Sequence, residues 1–502
     1  SLCHLVSCLF LLVGISSAMS APIRFPSSAI NDQTQKLSNP SSSVLYKEKF
    51  YTQILDHFTF TPQSYHKFQQ RYLVNDTYWG GPEKNAPIFV YTGNEGNIEW
   101  FGQNTGFMFD VAPRFKALIV FVEHRFYGKS VPFGGDRKVA YANASTLGYL
   151  TSTQALADYA TLILDLKKNL SSVDSPVVVF GGSYGGMLAA WLRLKYPHVA
   201  VGALASSAPI LQFDNISSPY SFSDIVTRDF RGESENCYKV LKGSWTQISE
   251  TLSQPGGAEI IRSSFKICKN SSVEYVANWL STAWVYTAMT DYPTPSNFLS
   301  PMPAYPVKQM CKAIDDQKTG NDTFAKLYGA ATVYYNSTGT VECFNLDDDS
   351  DPHDLGGWGW QASTEMIMPI GGSRNDSIFE PYQWDYNSTD VPKLNYWGVE
   401  TRPTWITTEF GGHNIKRVLK RHGSNIIFFN GLRDPWSGGG VLETISKSIV
   451  AIVAEKGAHH VDLRFATSED PKWLQKVKAR EVGIISKWLK EYYHELAEAD
   501  DS

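Results

Sequence analysis

The sequence predicts an α/β fold: a mainly parallel sheet flanked by helices, with a mostly helical segment inserted before the last strands. Three observations carry this. Short β-branched or aromatic apolar runs alternate with helix-period segments between Pro87 and Ala205, as strand-crossover-strand units require. The alternation stops after Pro209, and helical stretches mixed with tryptophan, tyrosine and proline follow to Pro403. It then resumes with two more apolar strands and a closing helix.

From the N-terminus, the apolar run Leu5 to Ile15 precedes small residues at Ser16, Ser17, Ala18, Ser20 and Ala21, which reads as a secretory signal peptide over residues 1–21. An initiating methionine and a charged n-region are missing, so the sequence is expected to be incomplete at this end. Residues 22–45 are rich in serine, proline and asparagine without periodicity, the composition of a disordered or processed leader. The folded part is expected to begin near Tyr46, with a strand-rich region over about residues 50–90. Pro87 to Thr92 reads as a buried strand running into Gly93-Asn94-Glu95-Gly96, a loop able to turn a backbone N–H toward a ligand. Ala117 to Val122 is a second buried strand, ending in Glu123-His124-Arg125. His124 precedes the candidate nucleophile in sequence and is taken as structural. Leu150 to Leu170 is a helix, with capping-box spacing at Thr151-Ser152-Thr153-Gln154 and Leu156, Tyr159, Ile163 and Leu166 on one face.

The next stretch is the most informative. Val177 to Phe180 is a buried strand that runs directly into Gly181-Gly182-Ser183-Tyr184-Gly185-Gly186, and a helix follows until Tyr196-Pro197. Strand, G-x-S-x-G, helix is the nucleophile elbow of α/β-hydrolases. The serine must occupy a strained turn with its hydroxyl exposed, so the residues two before and two after it must lack side chains. Gly181 and Gly185 meet that need; without the flanking strand and helix, the pentapeptide would equally be a glycine-rich turn with an incidental serine.

A serine hydroxyl needs a base within hydrogen-bond reach and an acid to orient that base. In this fold the order along the chain is Ser, Asp or Glu, His. Asn425 to Phe429 is a strand leading to Asp434, and Ser448 to Val453 is a strand leading to His459-His460. Singly, Asp434 reads as a turn aspartate before proline and His459 as a loop histidine; jointly, after the last two strands, they complete a triad with Ser183. The predicted organisation is an α/β-hydrolase domain over residues 46–211 and 405–502, with a helical cap over residues 212–404.

Composition narrows the function. Net charge is −5 and the isoelectric point is near 6.1, so there is no basic footprint for nucleic acid or an acidic membrane surface. No segment outside the signal region is long and apolar enough to span a bilayer. Beyond Cys3 and Cys8 there are four cysteines, Cys237, Cys268, Cys311 and Cys343, which in an oxidising compartment read as two disulfides with three pairings open. Their spacing fits no compact zinc pattern, and neither a metal nor a cofactor is expected. N-x-S/T sequons at Asn75, Asn143, Asn169, Asn215, Asn270, Asn321, Asn336, Asn375 and Asn387 agree with passage through the secretory pathway, toward a lysosome or vacuole or the cell exterior.

The blocks GGSYGGMLAAWLRLKYPH, EHRFYGKSVPFG, NGLRDPWSGGG and GAHHVDLR resemble the Pro-X carboxypeptidase (prolylcarboxypeptidase) family, whose sibling is dipeptidyl peptidase II. The resemblance runs from about Phe50 to the last helix. It implies an α/β-hydrolase domain with a helical cap, cleavage after proline, His459 as the base, and pairing of Cys237 with Cys311 and of Cys268 with Cys343. Two departures stand out: Ser363 replaces a cap cysteine of the family, and a second expected near Ser218 is missing.

The reading is therefore a serine carboxypeptidase that releases the residue after proline through an acyl-enzyme. The alternatives are a dipeptidyl aminopeptidase, then a lipase or esterase, then a non-catalytic binding protein. The oxyanion would be held by the N–H of Tyr184 and a second donor from Gly93, Asn94, Glu95 or Gly96. His460 and Arg464 are expected to lower the working pKa of His459 by their positive charge. An apolar slot for proline is expected from Met187, Trp436 and, by the resemblance, Met368. The carboxylate that the aminopeptidase sibling needs for a substrate ammonium is replaced here by Gly359. A homodimer is also expected.

Overall fold

The computed structural model describes residues 46–348, 350–384 and 398–500; the signal and leader segments, with Cys3 and Cys8, and the sequon at Asn387 lie outside the described residues. One sheet is built from β1 (Lys47–Ile54), β2 (Lys67–Asn75), β3 (Ile88–Thr92), β4 (Leu118–Val122), β5 (Val177–Gly182), β6 (Gly202–Ser206), β7 (Ile426–Gly431) and β8 (Ile449–Ala454). Their order is β1-β2-β4-β3-β5-β6-β7-β8. β1 and β2, and β2 and β4, pair antiparallel. From β4 to β8 every neighbouring pair is parallel. Parallel strands all end on one edge of the sheet, and this is where the segments after β3, β5, β7 and β8 meet.

The strand sequences follow from position. β3, β4 and β5 are buried along their whole length, so they read as unbroken apolar runs and not as alternation. β1 lies at the edge, where Lys47, Glu48 and Lys49 face solvent and discourage pairing with another chain.

Helix α1 (Ser152–Asn169) covers one face beside α2 (Tyr184–Lys195). The expected capping box is half formed. Thr151 Oγ1 accepts from the N–H of Gln154 at 3.2 Å. The Gln154 side chain turns away to accept from His57 N–H at 3.0 Å and donate to Asp56 at 2.7 Å.

Between β6 and β7 lie α3 (Ser221–Glu233), α4 (Glu235–Ser253), α5 (Val276–Met289), α6 (Pro306–Ile314), α7 (Thr323–Tyr335) and α8 (Trp358–Thr364). Cys237 is bonded to Cys311, joining α4 to α6, and Cys268 to Cys343. These are the pairings implied by the resemblance. The apolar interior of this helical segment is continuous with a sheet face: Phe89, Phe180 and Phe429 belong to one cluster with Phe230, Trp284 and Tyr334. Helix α9 (Lys472–Asp500) closes the fold, with Trp488 and Leu489 in the same cluster.

Candidate active site

Ser183 begins α2 with φ 59° and ψ −129°, a conformation that a non-glycine residue adopts at a cost of about 1–3 kcal/mol. Its N–H is fixed to Ser206 O at 3.0 Å. A Cβ on Gly181 would stand 2.0 Å from Gly185 O, and one on Gly185 would stand 2.7 Å from Thr92 O. Both glycines are therefore obligatory for the turn, as the sequence pattern requires.

Asp434 and His459 meet although they come from separate strand ends. His459 Nδ1 lies 2.8 Å from Asp434 Oδ2, with both side chains fully buried. Asp434 Oδ1 accepts from Trp436 N–H at 3.1 Å, so the carboxylate is oriented by its own turn. A carboxylate only accepts, so Nδ1 carries the proton and Nε2 keeps its lone pair. That Nε2 is buried and makes no hydrogen bond within the described residues. It is available to take a proton from a serine hydroxyl.

The cap holds the loops that carry this pair. His459 N–H donates to Met289 O at 2.9 Å, and Tyr292 OH donates to His459 O at 2.8 Å. Arg433 donates to Asp291 at 2.5 Å, and Arg228 donates to Leu432 O at 3.1 Å. Both faces of the His459 peptide chain and the residues before Asp434 are thus tied to α3 and to the end of α5.

A second network ends on Tyr184. His124 Nδ1 faces the carbonyl of Arg125 at 2.8 Å, so it bears the proton, and Nε2 accepts from Tyr184 OH at 3.0 Å. Burial pushes the His124 pKa down to about 4, which keeps this tautomer neutral. Gln361 Nε2 donates to Tyr184 OH at 2.9 Å and to Glu365 at 3.0 Å, while Tyr127 OH donates to Gln361 Oε1 at 2.6 Å. Glu365 also accepts from Ser152 N–H at 2.7 Å, and burial raises its pKa to about 7. His124 is structural in the sense expected, and what it positions is the residue after the nucleophile.

The other expected site residues divide. Gly93 N–H donates to Val122 O at 3.0 Å and Gly96 N–H to Asn94 O at 2.8 Å, so neither is free to hold an oxyanion. The expected donor Glu95 also drops out, because its N–H bonds its own carboxyl, and of that loop Asn94 remains. The ring of His460 lies 4.4 Å from that of His459. Burial, then the neighbouring His459 and Arg464, push the His460 pKa well below the usual range, so it is neutral and adds no positive charge. Only Arg464 of that pair is a cation; its guanidinium lies 4.6 Å over the Tyr292 ring, one hydrogen bond from His459. Met187 is fully buried in an apolar cluster of sheet and helix residues and has no surface to line a slot. Met368 and Trp436 are half-buried, and Trp436 packs edge-on against Phe222 of α3 at 4.9 Å. Gly359 has open space where a side chain would stand. Among the sequons, Asn143, Asn169, Asn215, Asn270, Asn321 and Asn375 are exposed, and Asn75 and Asn336 are half-buried.

Behind the elbow a pair of buried carboxyls faces inward. Ser206 Oγ donates to Asp462 Oδ1 at 2.5 Å. Asp462 Oδ2 and both oxygens of Glu481 are buried and accept from no donor group. Two acceptors can bond each other only through a shared proton, and burial raises both pKa values, that of Asp462 to about 6, with the neighbouring Asp462 adding to the rise at Glu481. A raised folded pKa means stability that is complete at low pH and lost as pH climbs through the folded value, at up to about 1.4 kcal/mol per pH unit per group. Melting temperature is therefore expected to fall between about pH 5 and pH 8, and Glu481→Gln, which imitates the protonated acid, is expected to flatten that fall. An equal slope in the variant would show that the pair does not hold the proton.

A sheet of this order with a serine at the elbow after β5 and a His–Asp pair after β7 and β8 defines a serine hydrolase of the α/β-hydrolase fold. Residues 53–481 match the family described as serine carboxypeptidase S28. The chain is 41% identical over 495 residues to the lysosomal Pro-X carboxypeptidase of Bos taurus, covering 97% of this chain and 96% of that protein. The enzyme of the same name from Homo sapiens is 41% identical, with 92% of each chain covered. Prolyl carboxy peptidase like protein 5 of Caenorhabditis elegans is 38% identical over 89% of this chain and 90% of that one. The chain belongs to the serine carboxypeptidase S28 family and is a serine-type peptidase. Its two disulfides, bonds that persist in oxidising compartments, and its lysosomal relatives fit a secretory-pathway protein. No helix among the described residues is long and apolar enough to cross a membrane.

Proposed function

We propose that this protein is a Pro-X carboxypeptidase that acts in a lysosome, vacuole or the extracellular space. The observation that carries this reading is the 41% identity to Pro-X carboxypeptidases across 97% of the chain. Ser183 Oγ attacks the proline carbonyl, and its proton passes to His459 Nε2 while Asp434 holds Nδ1–H. The Tyr184 N–H and the N–H of Asn94 take the oxyanion. His459 then protonates the leaving amine, and a water molecule activated by the same histidine hydrolyses the acyl-enzyme.

The test offers a peptide with a blocked N-terminus ending in Pro-X beside an unblocked X-Pro amide. Cleavage of the first is expected. Cleavage of the second alone would make the protein a dipeptidyl aminopeptidase instead.

A pyrrolidine ring offers no donor and must be selected by shape and burial. Trp436, tethered two residues after Asp434 and half-buried, is one wall of the slot and Met368 another. Trp436→Ala is expected to lower kcat/KM for proline at the cleaved bond more than for alanine there, by ~1–3 kcal/mol of lost apolar contact. Equal losses on both substrates would mean that Trp436 supports the Asp434 turn and does not read proline.

A further inference from the structure

One carboxyl group beside the catalytic histidine has no task in these steps. Glu95 lies in the loop after β3, and that loop is fixed on three sides: to Val122 O through Gly93, to itself through Gly96, and to His353 O of the cap segment through Asn97 N–H at 2.8 Å. Asn94 of the same loop is buried against Gly185, so the loop borders the nucleophile elbow. The Glu95 carboxyl receives its own backbone N–H and the Asn94 side chain. Its Oε2 is buried and unpartnered. The titratable groups that act on it or feel it are His459, Tyr91, Tyr127, Tyr184 and Tyr286, one histidine and four tyrosines drawn from both the sheet side and the cap.

Three arginines have carboxylate partners, Arg71 with Glu123, Arg125 with Asp158 and Arg433 with Asp291, while Arg464 lies over Tyr292 with its Nη1 buried and without a hydrogen-bond partner among the described residues. A carboxypeptidase must nonetheless recognise the terminal carboxylate of its substrate, which lies one residue beyond the scissile bond and beside the histidine that protonates the leaving amine. We propose that Glu95 donates a hydrogen bond from its carboxyl Oε2 to that C-terminal carboxylate, and so selects chain ends over internal bonds. This rests on the Pro-X reading above. Burial raises the Glu95 pKa and favours the protonated donor in an acidic medium. A carboxyl-to-carboxylate bond of this kind is short and charge-assisted, stronger than a neutral pair. Above that raised pKa the donor proton leaves and two anions would face each other.

The experiment measures kcat and KM from about pH 5 to about pH 8 for matched blocked peptides, one ending in a free Pro-Phe acid and the other in Pro-Phe amide, with wild type, Glu95→Ala and Glu95→Gln. Wild type is expected to prefer the acid, and the preference to fade as pH rises. Glu95→Ala is expected to collapse the acid-over-amide ratio through KM, by roughly 10- to 100-fold, the range of a hydrogen bond to a charged group. Glu95→Gln keeps a donor and is expected to retain the preference while losing its pH dependence. Equal losses on acid and amide in both variants would overturn the proposal and leave Glu95 as a support of the oxyanion loop. Wild type that cleaves neither blocked peptide but does cleave an unblocked X-Pro amide would overturn the Pro-X reading itself, and the two failures are separate.

Discussion

Ser183→Ala is expected to leave a folded protein whose kcat is down by on the order of 10⁶, because triad members act as a unit. Fold should survive because the strained backbone at φ 59° treats alanine and serine alike and the serine N–H, not its hydroxyl, bonds Ser206 O. His459→Ala should lose nearly as much, and the double variant little more than either. His460→Ala should be milder, since that ring is a neutral neighbour and does not touch Asp434 Oδ2 in place of His459. Peptide hydrolysis, fluorophosphonate labelling and a thermal melt check the set. Labelling that persists in Ser183→Ala would move the nucleophile elsewhere, and a larger loss for His460 than for His459 would exchange their roles.

What the sequence made legible was local. The strand, elbow and helix around Ser183 lie within 23 consecutive residues from Ser175 to Pro197, and glycine at 181 is demanded there by the carbonyl of Gly185 four residues on. The triad order was readable because each member follows its own apolar strand. Less legible was everything set by contacts between distant segments. That Gly93 donates to Val122 O, or that Gln154 prefers Asp56 to its own helix end, depends on neighbours with no mark in the local pattern. Met187 was misplaced for the same reason: four residues after the nucleophile is close along α2, but there the side chain is fully buried in an apolar cluster shared with the sheet. The Tyr184–Gln361 and Tyr292–His459 bonds span 177 and 167 residues, and no spacing rule would join them.

These long-range bonds give the cap a part in the chemistry. The peptide of His459 is held at its N–H by Met289 and at its carbonyl by Tyr292, and the residue before Asp434 is held by Asp291. One short stretch at the end of α5 therefore sets the separation of base and acid. On the opposite side, Gln361 of α8 fixes Tyr184, whose N–H is the expected oxyanion donor. A continuous apolar interior joins both parts of the cap to the sheet, so the fixed geometry does not rest on polar contacts alone.

Asp434→Asn is expected to lower kcat by about 10⁴ with KM little changed, because it reverses the tautomer of the base. Asp434 Oδ1 already accepts from Trp436 N–H, and Oδ2 accepts from His459 Nδ1–H. An asparagine has one acceptor oxygen for these two donors. If the oxygen stays with Trp436, the amide nitrogen faces His459 Nδ1 and donates to it. The imidazole proton then moves to Nε2, the atom that must receive the proton of Ser183, and the base is disabled while the fold is kept. If the oxygen turns to His459 instead, the amide nitrogen faces the Trp436 N–H, two donors in contact, and the turn bearing the residue opens. Either arrangement removes catalysis, but only the first leaves the melting temperature near that of the wild type. A kcat within tenfold of wild type, measured beside an unchanged melt, would mean that another group orients His459 and that Asp434 is a turn aspartate after all.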